Sequence, residues 1–156
     1  MTTRRKFLLG ISGFVLARAL CLGVGPAIAG SNRIEFSEED WRQRLDPAVF
    51  DVMRNRALER PWSSLLLSES GDGVFACAAC EAPLFSSHNK FDAGSGWPSF
   101  RAPRLGAVSE IRSGARNEAR CSRCDGHLGY VFNDGPKPVG LRYCINGIAM
   151  RFSAAV

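Results

Sequence analysis

A single cysteine near the end of the sequence, Cys144 in the stretch GLRYCING (140–147), stands apart from the other cysteines of the chain. The stretch alternates in the manner of a β-strand, which places Arg142, Cys144 and Asn146 on one polar face. A cysteine that only fills a core is expected to have apolar residues two positions away on either side. At its ordinary pKa only about 3% of a thiol is ionised at pH 7, and a positive neighbour favours the thiolate. The pattern therefore favours a reactive nucleophile at Cys144 over a packing atom.

Four further cysteines form two Cys-x-x-Cys pairs, CAAC (77–80) and CSRC (121–124). Four thiolates of this kind can surround one zinc ion tetrahedrally, which leaves no open position for catalysis and makes the ion structural. Two redox-active dithiols and two disulfides are the alternatives. Redox pairs usually lie at a helix N-terminus, whereas these pairs follow strand-like segments, so the pattern favours zinc. The predicted ligands are Cys77, Cys80, Cys121 and Cys124.

Two other motifs carry side chains suited to a binding site. The segment DGHLGYVFNDGPKP (125–138) places His127 shortly after the second cysteine pair, where it is either structural or free for acid–base catalysis. On a straight strand His127 and Tyr130 point to opposite faces, and a bend at the neighbouring glycines would bring them together. The segment GSGWPSF (94–100) is a glycine-flanked loop whose Trp97 belongs either to the core or to the wall of a pocket.

The sequence predicts that two helices and a set of strands carry these residues. Ser37 and Asp46 are typical N-cap residues, and Pro47 suits the first turn of the second helix. Pro61 marks the predicted end of that helix. From Gly71 onward, short apolar runs broken by Gly, Pro, Asn and Asp indicate antiparallel strands. The sequence therefore predicts two helices packed on a mainly β domain. The apolar residues predicted to share one face of the second helix are Val49, Phe50, Met53 and Leu58.

Charge is distributed unevenly along the 156 residues, whose formal net charge is +5. Residues 1–29 hold four of the 20 Lys and Arg residues and none of the 15 Asp and Glu residues, so the rest of the chain is nearly neutral. Without a basic face, the electrostatic attraction that dominates nucleic-acid binding is missing. Nucleic acid is therefore not expected as a partner.

The front of the chain is typical of an export signal. The segment TTRRKFLLG (2–10) precedes an apolar run that ends in a small-x-small cleavage pattern at Ala27 and Ala29. The order Thr-Arg-Arg-Lys-Phe-Leu resembles the twin-arginine signal of bacteria, which predicts export to the periplasm in folded form. An uncleaved membrane anchor is the alternative, but it would place Arg18 inside the bilayer at a cost of about 2.5–3.5 kcal/mol.

The sequence thus divides into three parts. We expect an export signal at 1–29, a tether at 30–36 and a folded domain at 37–156. Cleavage of the signal would remove Cys21 and leave five cysteines in the mature protein. Contact with a membrane is expected only through the signal.

Taken together, the motifs resemble those of the B-type methionine sulfoxide reductases, which reduce the R epimer of methionine sulfoxide. The resemblance rests on the two cysteine pairs and on ERPW (59–62), KFDAGSGWPSF (90–100) and HLGYVFNDGPKPVGLRYCIN (127–146), and it runs from about Ser37 to Phe152. It implies a mainly β fold of the β-tent type. This fold has two antiparallel sheets, short N-terminal helices and a four-cysteine zinc clasp remote from the catalytic cysteine.

The resemblance also implies a role for each candidate site residue. Cys144 is the nucleophile that attacks the sulfoxide sulfur, and His127 protonates the departing oxygen, which is worth about 10²–10⁴ in rate. The products are methionine and a sulfenic acid on Cys144. Trp97 forms the apolar wall for the methyl group of the substrate. The residues that orient the nucleophile and the nearby water are Arg142, Asp134 and Asn146.

Two positions depart from the family pattern. Ser95 stands where the family commonly has a cysteine that resolves the sulfenic acid as a disulfide. We therefore expect an external thiol, such as glutathione or a thioredoxin-like or glutaredoxin-like partner, to regenerate Cys144. Tyr130 stands where the family usually has a second histidine. Because a phenol with a pKa near 10 exchanges protons poorly at neutral pH, we expect lower activity or a shifted pH dependence.

Two other functions fit the same residues. A zinc-stabilised binding module would keep an inert Cys144, and another thiol-dependent redox enzyme, such as a peroxidase, would direct the thiol at a different oxidant. Titration of the thiols distinguishes the binding module from an enzyme, because only an enzyme is expected to show one fast-reacting cysteine of low pKa. An assay of both epimers of methionine sulfoxide separates the second.

Overall fold

A computed structural model describes residues 33–155 of the chain. The predicted export signal (1–29), with Cys21, and residues 30–32 of the predicted tether lie outside the described residues. None of the helices within the described range is both long and apolar enough to cross a membrane.

Two short helices begin the described part of the chain, and each begins at its predicted cap. The Ser37 Oγ accepts a hydrogen bond from the Asp40 amide (3.1 Å), and the Asp46 Oδ1 accepts one from the Ala48 amide (2.9 Å). These caps satisfy amides that have no partner in the first helical turn. The helices are α1 (Glu38–Arg44) and α2 (Pro47–Asn55).

Helix α2 ends earlier than its apolar pattern predicts. Arg56 adopts a left-handed conformation (φ 60°) and closes the helix well before Pro61. The turn brings Arg56 Nε within 3.1 Å of Glu118 Oε1, and this ion pair favours the early end. The prediction that Leu58 faces the core from the helix is therefore wrong, because its side chain is 57% exposed and lies beyond the helix.

The described strands form two antiparallel sheets, which confirms the predicted mainly β fold. Three short 3₁₀ turns lie among them, at Leu65–Leu67, Ser87–Asn89 and Gly147–Ala149. The strands are β1 (Gly73–Cys77), β2 (Pro83–Ser86), β3 (Lys90–Phe91), β4 (Ser99–Phe100), β5 (Val108–Ser113), β6 (Arg116–Cys121), β7 (His127–Phe132), β8 (Arg142–Ile145) and β9 (Met150–Ala154). One sheet has the order β2-β1-β9, and the other has the order β3-β4-β8-β7-β6-β5.

Aromatic side chains from the two sheets meet in the core. The ring of Phe100 on β4 stacks on Phe85 of β2 at 4.3 Å between centroids and meets the edge of Phe75 on β1 at 5.0 Å. Such contacts add to the large apolar area that each ring buries. Phe50 and Met53 of α2 are buried in the same core, as predicted. The central strands β7 and β8 also contribute buried residues to this core.

The last residues of the predicted tether lie against the second cysteine pair. The Ile34 amide donates to the Arg123 carbonyl (2.7 Å), and Arg33 forms an ion pair with Asp125 (3.4 Å). Residues 33–36 are therefore attached to the domain in the structure.

Candidate active site and metal centre

The four paired cysteines meet in one buried cluster that joins the two sheets. Cys77 ends β1 and Cys121 ends β6, and Cys80 and Cys124 lie in the turns that follow. The sulfur atoms of Cys77 and Cys124 are 3.7 Å apart, those of Cys80 and Cys121 are 3.6 Å apart, and all four lie within 4.8 Å of one another. A tetrahedral ion with bonds of about 2.3 Å requires sulfur separations of about 3.8 Å. The cluster therefore has the geometry of a four-thiolate metal site.

The two alternatives for these cysteines do not describe the structure. A disulfide requires sulfur atoms about 2.05 Å apart, whereas all four cysteines are free. Both pairs follow strands, as predicted, and neither lies at a helix N-terminus that would activate a redox thiol.

Cys144 lies half-buried on β8, where the side chains alternate as predicted. Tyr143 and Ile145 are buried in the core, and Arg142 and Cys144 lie on the other face. Cys144 is directly opposite Tyr130 on β7. Because opposite residues of antiparallel strands project from the same face, the phenol of Tyr130 is a neighbour of the thiol.

A pocket of about 240 Å³ opens at Cys144. Trp97 is one of its walls, and the Trp97 Nε1 donates a hydrogen bond to the backbone carbonyl of Glu59 (3.1 Å), which fixes the ring. Trp97 is half-buried and lines this pocket, and its contact with substrate stays a prediction. Other residues that line the pocket are Leu58, Arg116, Tyr130, Phe132 and Asn146. The walls are mainly aromatic and aliphatic, with the thiol as a reactive atom among them.

Arg142 is held beside this pocket by a carboxylate. Its Nε and Nη2 donate to the two oxygens of Asp134 at 2.9 and 2.8 Å, and its guanidinium lies 4.5 Å from the ring centroid of Phe132. A two-pronged pair of this kind restricts the orientation of the guanidinium. The geometry places Asp134 and Arg142 side by side, and their role in orienting the nucleophile stays a prediction.

Asn146 is buried and joins three segments around the pocket. Its Oδ1 accepts from the Glu59 amide (3.0 Å), and its Nδ2 donates to the Leu128 carbonyl (3.0 Å). Both bonds are to the backbone, so Asn146 fixes β7 and the segment after α2 relative to the strand that carries Cys144.

The pKa of the Cys144 thiol lies above its ordinary value. Burial raises its pKa, and neither the Ser95 hydroxyl, whose oxygen is 4.0 Å from the Cys144 Sγ, nor the Arg142 guanidinium lowers it enough to compensate. Asp134 raises it further. The expectation of a low-pKa cysteine is therefore wrong for the free protein, because desolvation outweighs the positive charge.

His127 lies under Tyr130 and is almost fully buried, with 1% of its side chain exposed. Between β6 and β7 the pairing shifts, from Ala119 opposite Gly129 to Arg120 opposite His127, which leaves one extra residue on β7. This bulge turns His127 to the same face as Tyr130, with the ring centroids 5.2 Å apart. The histidine does not line the Cys144 pocket, and no hydrogen bond within residues 33–155 joins it to Cys144.

The protonation of His127 depends on the charged groups around it. Burial lowers its pKa, the hydrogen bond from its Nδ1 to Glu118 Oε1 (2.8 Å) raises it, and Arg56 and Arg120 lower it. Burial prevails, so the imidazole is neutral at pH 7.

Comparison with known proteins identifies the family. Residues 45–154 match the model of the SelR domain. A protein of Agrobacterium fabrum named peptide methionine sulfoxide reductase MsrB is 47% identical over 78% of this chain and 94% of its own length. Proteins of the same name from Pseudomonas fluorescens and Thioalkalivibrio sulfidiphilus are 50% and 47% identical over 76% and 78% of this chain, and over 94% and 92% of their own lengths. The chain belongs to the MsrB family.

One solved structure with a similar backbone is titled "Crystal Structure of Mis18 'Yippee-like' Domain". It shares 17% identity over 55% of this chain and 98% of its own length, with a TM-score of 0.43. The assignment to the MsrB family does not depend on this similarity.

Two carboxylates of this MsrB-family site were not among the predicted residues. Glu59 accepts from the Ile148 amide (2.9 Å) through its side chain, in addition to its two backbone bonds. It so ties the segment after α2 to the 3₁₀ turn that follows β8. The only hint of Glu59 in the sequence was that it belongs to the ERPW motif (59–62). Glu118 is completely buried beside His127, and nothing in its local sequence distinguishes it from an exposed strand residue.

Proposed function

We propose that the protein reduces the R epimer of methionine sulfoxide in oxidised proteins to methionine, with Cys144 as the nucleophile. One observation carries this proposal: a half-buried thiol lies in an apolar pocket of about 240 Å³, a size suited to one side chain. Membership of the MsrB family supports the same reaction, because the curated relatives are named for it.

The reaction transfers one oxygen atom. The Cys144 sulfur attacks the sulfoxide sulfur, the sulfur–oxygen bond of the substrate breaks, and the oxygen ends as a sulfenic acid on Cys144. The substrate sulfur is reduced by two electrons and the cysteine sulfur is oxidised by two. The proton that leaves the thiol is the proton that the departing oxygen requires, so the step needs no net proton from solvent.

The pocket walls suit the apolar part of the substrate. Trp97 and Phe132 offer aromatic surface to the methyl group and the side-chain methylenes, and Leu58 closes the pocket from the segment after α2. Each methylene removed from water contributes about 0.8 kcal/mol to binding. The polar sulfoxide oxygen is left to the face that carries Tyr130 and Arg142.

The polar residues around Cys144 act on the nucleophile. Arg142, oriented by Asp134, favours the thiolate once the proton leaves, and Asn146 holds the strands in register. His127 provides acid–base catalysis from behind Tyr130. Because the imidazole is neutral and the thiol is protonated at pH 7, we assign His127 first as the acceptor of the thiol proton and then as its donor to the departing oxygen.

An external thiol regenerates Cys144 in this proposal. Ser95 lies beside the Cys144 thiol and stands where the family commonly has the cysteine that resolves the sulfenic acid. The other four cysteines of the described residues are buried in the metal cluster. Two external thiols convert the sulfenic acid to a thiol and water while they form their own disulfide. We include glutathione, thioredoxin-like and glutaredoxin-like proteins as reductants.

The state of Cys144 after one turnover tests this part of the proposal. The protein is mixed with excess methionine sulfoxide without a reductant, and the free thiols and the mass of the chain are measured. We expect the loss of one thiol and a sulfenic acid that a sulfenic-acid-specific reagent captures. An intramolecular disulfide to Cys144 would contradict regeneration by an external thiol.

Zinc is the proposed metal, bound once per chain by the four clustered cysteines. A set of four thiolates in tetrahedral geometry suits this ion, and its role is structural because no ligand position remains open. Elemental analysis of the purified protein is expected to give one zinc per chain.

Export to the bacterial periplasm is the proposed location, with residues 1–29 as the signal and 37–156 as the enzymatic domain. The paired Arg4 and Arg5 and the small-x-small site at Ala27 and Ala29 support this. We expect cell fractionation to find a chain that begins at residue 30 in the periplasm. Replacement of both arginines with lysine is expected to retain the full-length chain in the cytoplasm.

An epimer-resolved assay tests the activity itself. Free and peptide-bound methionine sulfoxide are supplied as separate R and S epimers with a thiol reductant, and the methionine formed is measured. We expect turnover of the R epimer alone, with more turnover for the peptide-bound form. Turnover of neither epimer would overturn the proposed activity and leave the family assignment standing.

A further inference from the structure

A buried carboxylate lies beneath the candidate active site and has no role in the reaction as described so far. Glu118 on β6 is 0% exposed. Its Oε1 accepts from His127 Nδ1 (2.8 Å) and from Arg56 Nε (3.1 Å), and its Oε2 accepts from Arg120 Nη2 (2.9 Å). A buried charge is costly unless it is paired, so these contacts hold the carboxylate in one place.

The ionisation of Glu118 determines which nitrogen of His127 carries the proton. Burial opposes ionisation, but the hydrogen bonds from Arg120 and His127 outweigh it and hold the pKa of Glu118 below its usual value. An ionised carboxylate can only accept hydrogen bonds. The Nδ1 of the neutral imidazole therefore carries the hydrogen, and its Nε2 is left with a free lone pair.

The Nε2 atom of His127 is the unusual feature of this arrangement. It is buried and has no hydrogen-bond partner among the described residues. Buried polar atoms nearly always have a partner, so an atom without one indicates a site that a water or a reacting group fills. The bulge on β7 places this imidazole on the face that carries Tyr130, and Tyr130 is opposite Cys144.

We propose that Glu118 is a positioning residue, which holds the His127 Nδ1–H so that Nε2 is the proton-accepting atom that serves the Cys144 pocket. This inference rests on the proposed function and adds an order of events to it. The proton leaves the Cys144 sulfur, reaches Nε2 through one bridging water beside Tyr130, and returns from Nε2 to the departing oxygen. The Nδ1 hydrogen stays in its bond to Glu118 throughout.

The tautomer can be observed directly, because the chain has only two histidines. Nitrogen-15 NMR of histidine-labelled protein distinguishes Nδ1–H from Nε2–H, and the exposed His88 is assigned by its absence in His88→Asn. We expect His127 to carry its hydrogen on Nδ1 in the unsubstituted protein. In Glu118→Gln we expect a mixture, because an amide can turn its NH₂ group toward Nδ1. A hydrogen on Nε2 in the unsubstituted protein would overturn the proposal.

A double-mutant cycle tests whether Glu118 acts through His127. Glu118→Gln is expected to lower kcat/KM for peptide methionine-R-sulfoxide by about 10²–10⁴-fold, the range of general acid–base catalysis. In a His127→Asn background, Glu118→Gln is expected to lower kcat/KM by less than about a further threefold. The reason is that the group positioned by Glu118 is gone. An equal loss in both backgrounds would mean that Glu118 is merely structural.

Matched variants separate positioning from folding. Glu110→Gln makes the same change on the neighbouring strand β5, where the carboxylate accepts from the Tyr143 hydroxyl, and it is expected to leave kcat/KM within about twofold. If Glu118→Gln does not fold, Glu118→Asp keeps the charge and is expected to keep the Nδ1–H tautomer. Because the NMR measurement needs no substrate, it distinguishes failure of this inference from failure of the proposed activity.

Discussion

The same atom, a cysteine sulfur, does two different things in two regions of the molecule. In the four-cysteine cluster each sulfur is buried and has three other sulfurs within 4.8 Å, so the sulfurs are suited to share one ion. Cys144 is half-buried and has a hydroxyl, a guanidinium and a phenol as neighbours. The first set of contacts suits the binding of one ion, and the second leaves the Cys144 sulfur at the wall of a pocket.

The surroundings of a cysteine, and not the residue type, distinguish a metal ligand from a candidate nucleophile in this protein. The cluster is built from two turns that follow β1 and β6, and it joins the sheets at a point that shares no lining residue with the Cys144 pocket. We therefore expect substitutions to separate cleanly: those in the cluster affect folding, and those around Cys144 affect chemistry.

The greatest loss of stability is expected on removal of the proposed zinc ion. Cys121→Ser, or prolonged exposure to a strong chelator, is expected to abolish cooperative unfolding. The reason is that the apparent binding free energy of a structural zinc, about 10–16 kcal/mol, matches or exceeds the whole stability of a typical domain. Calorimetry and zinc analysis measure this effect. A Cys121→Ser protein with an unchanged melting temperature would show that the cluster is not what joins the sheets.

The next effect is confined to chemistry. Cys144→Ser is expected to lower kcat for methionine-R-sulfoxide by at least about 10⁴-fold, because a hydroxyl is a far weaker nucleophile than a thiol. Its free energy of unfolding, measured in urea, is expected to stay within about 0.5 kcal/mol of the parent value, and its zinc content is expected to stay the same. Residual activity near the parent value would mean that Cys144 is not the nucleophile.

A smaller effect concerns the pKa of Cys144. Ser95→Ala and Arg142→Gln each remove a group that lowers this pKa, so each is expected to raise it further above its ordinary value. A higher pKa means less thiolate at any pH below it, so the midpoint of the alkylation rate against pH moves upward. Arg104→Gln, which changes a guanidinium outside the pocket, serves as the control and is expected to leave the midpoint in place. A downward shift in either variant would contradict the assigned contributions.

The smallest expected effect is at Tyr130. Tyr130→His is expected to raise kcat/KM near pH 7 by a few-fold, because an imidazole beside the thiol exchanges protons at neutral pH more readily than a phenol. The comparison of the two proteins from pH 5 to 9 measures this effect. An unchanged rate would mean that Tyr130 only packs against His127 and the pocket.

Features encoded in short spacings could be predicted from the sequence. The N-caps of α1 and α2, the alternation around Cys144 and the four-cysteine cluster each depend on residues close together in one or two segments. The pairing of the two cysteine turns is long-range. The sequence favoured it because four thiolates can surround one ion tetrahedrally, and the structure brings the four sulfurs together.

The early end of α2 could not be predicted in the same way. Its apolar pattern continues to Leu58, but Arg56 leaves the helix to pair with Glu118, a residue on β6 that is distant in sequence. Leu58 then lines the pocket instead of the core. The local periodicity alone therefore did not fix the end of the helix.

Residue type and local spacing were enough to predict the candidate ligands and the candidate nucleophile, because both depend on a few neighbouring residues. Three features became evident only from the folded chain: a bulge turns His127 toward Tyr130, Glu118 lies beneath the imidazole, and burial raises the pKa of Cys144. These outcomes depend on strand register and on exclusion of water. Both are set by residues that meet only when the sheet is assembled.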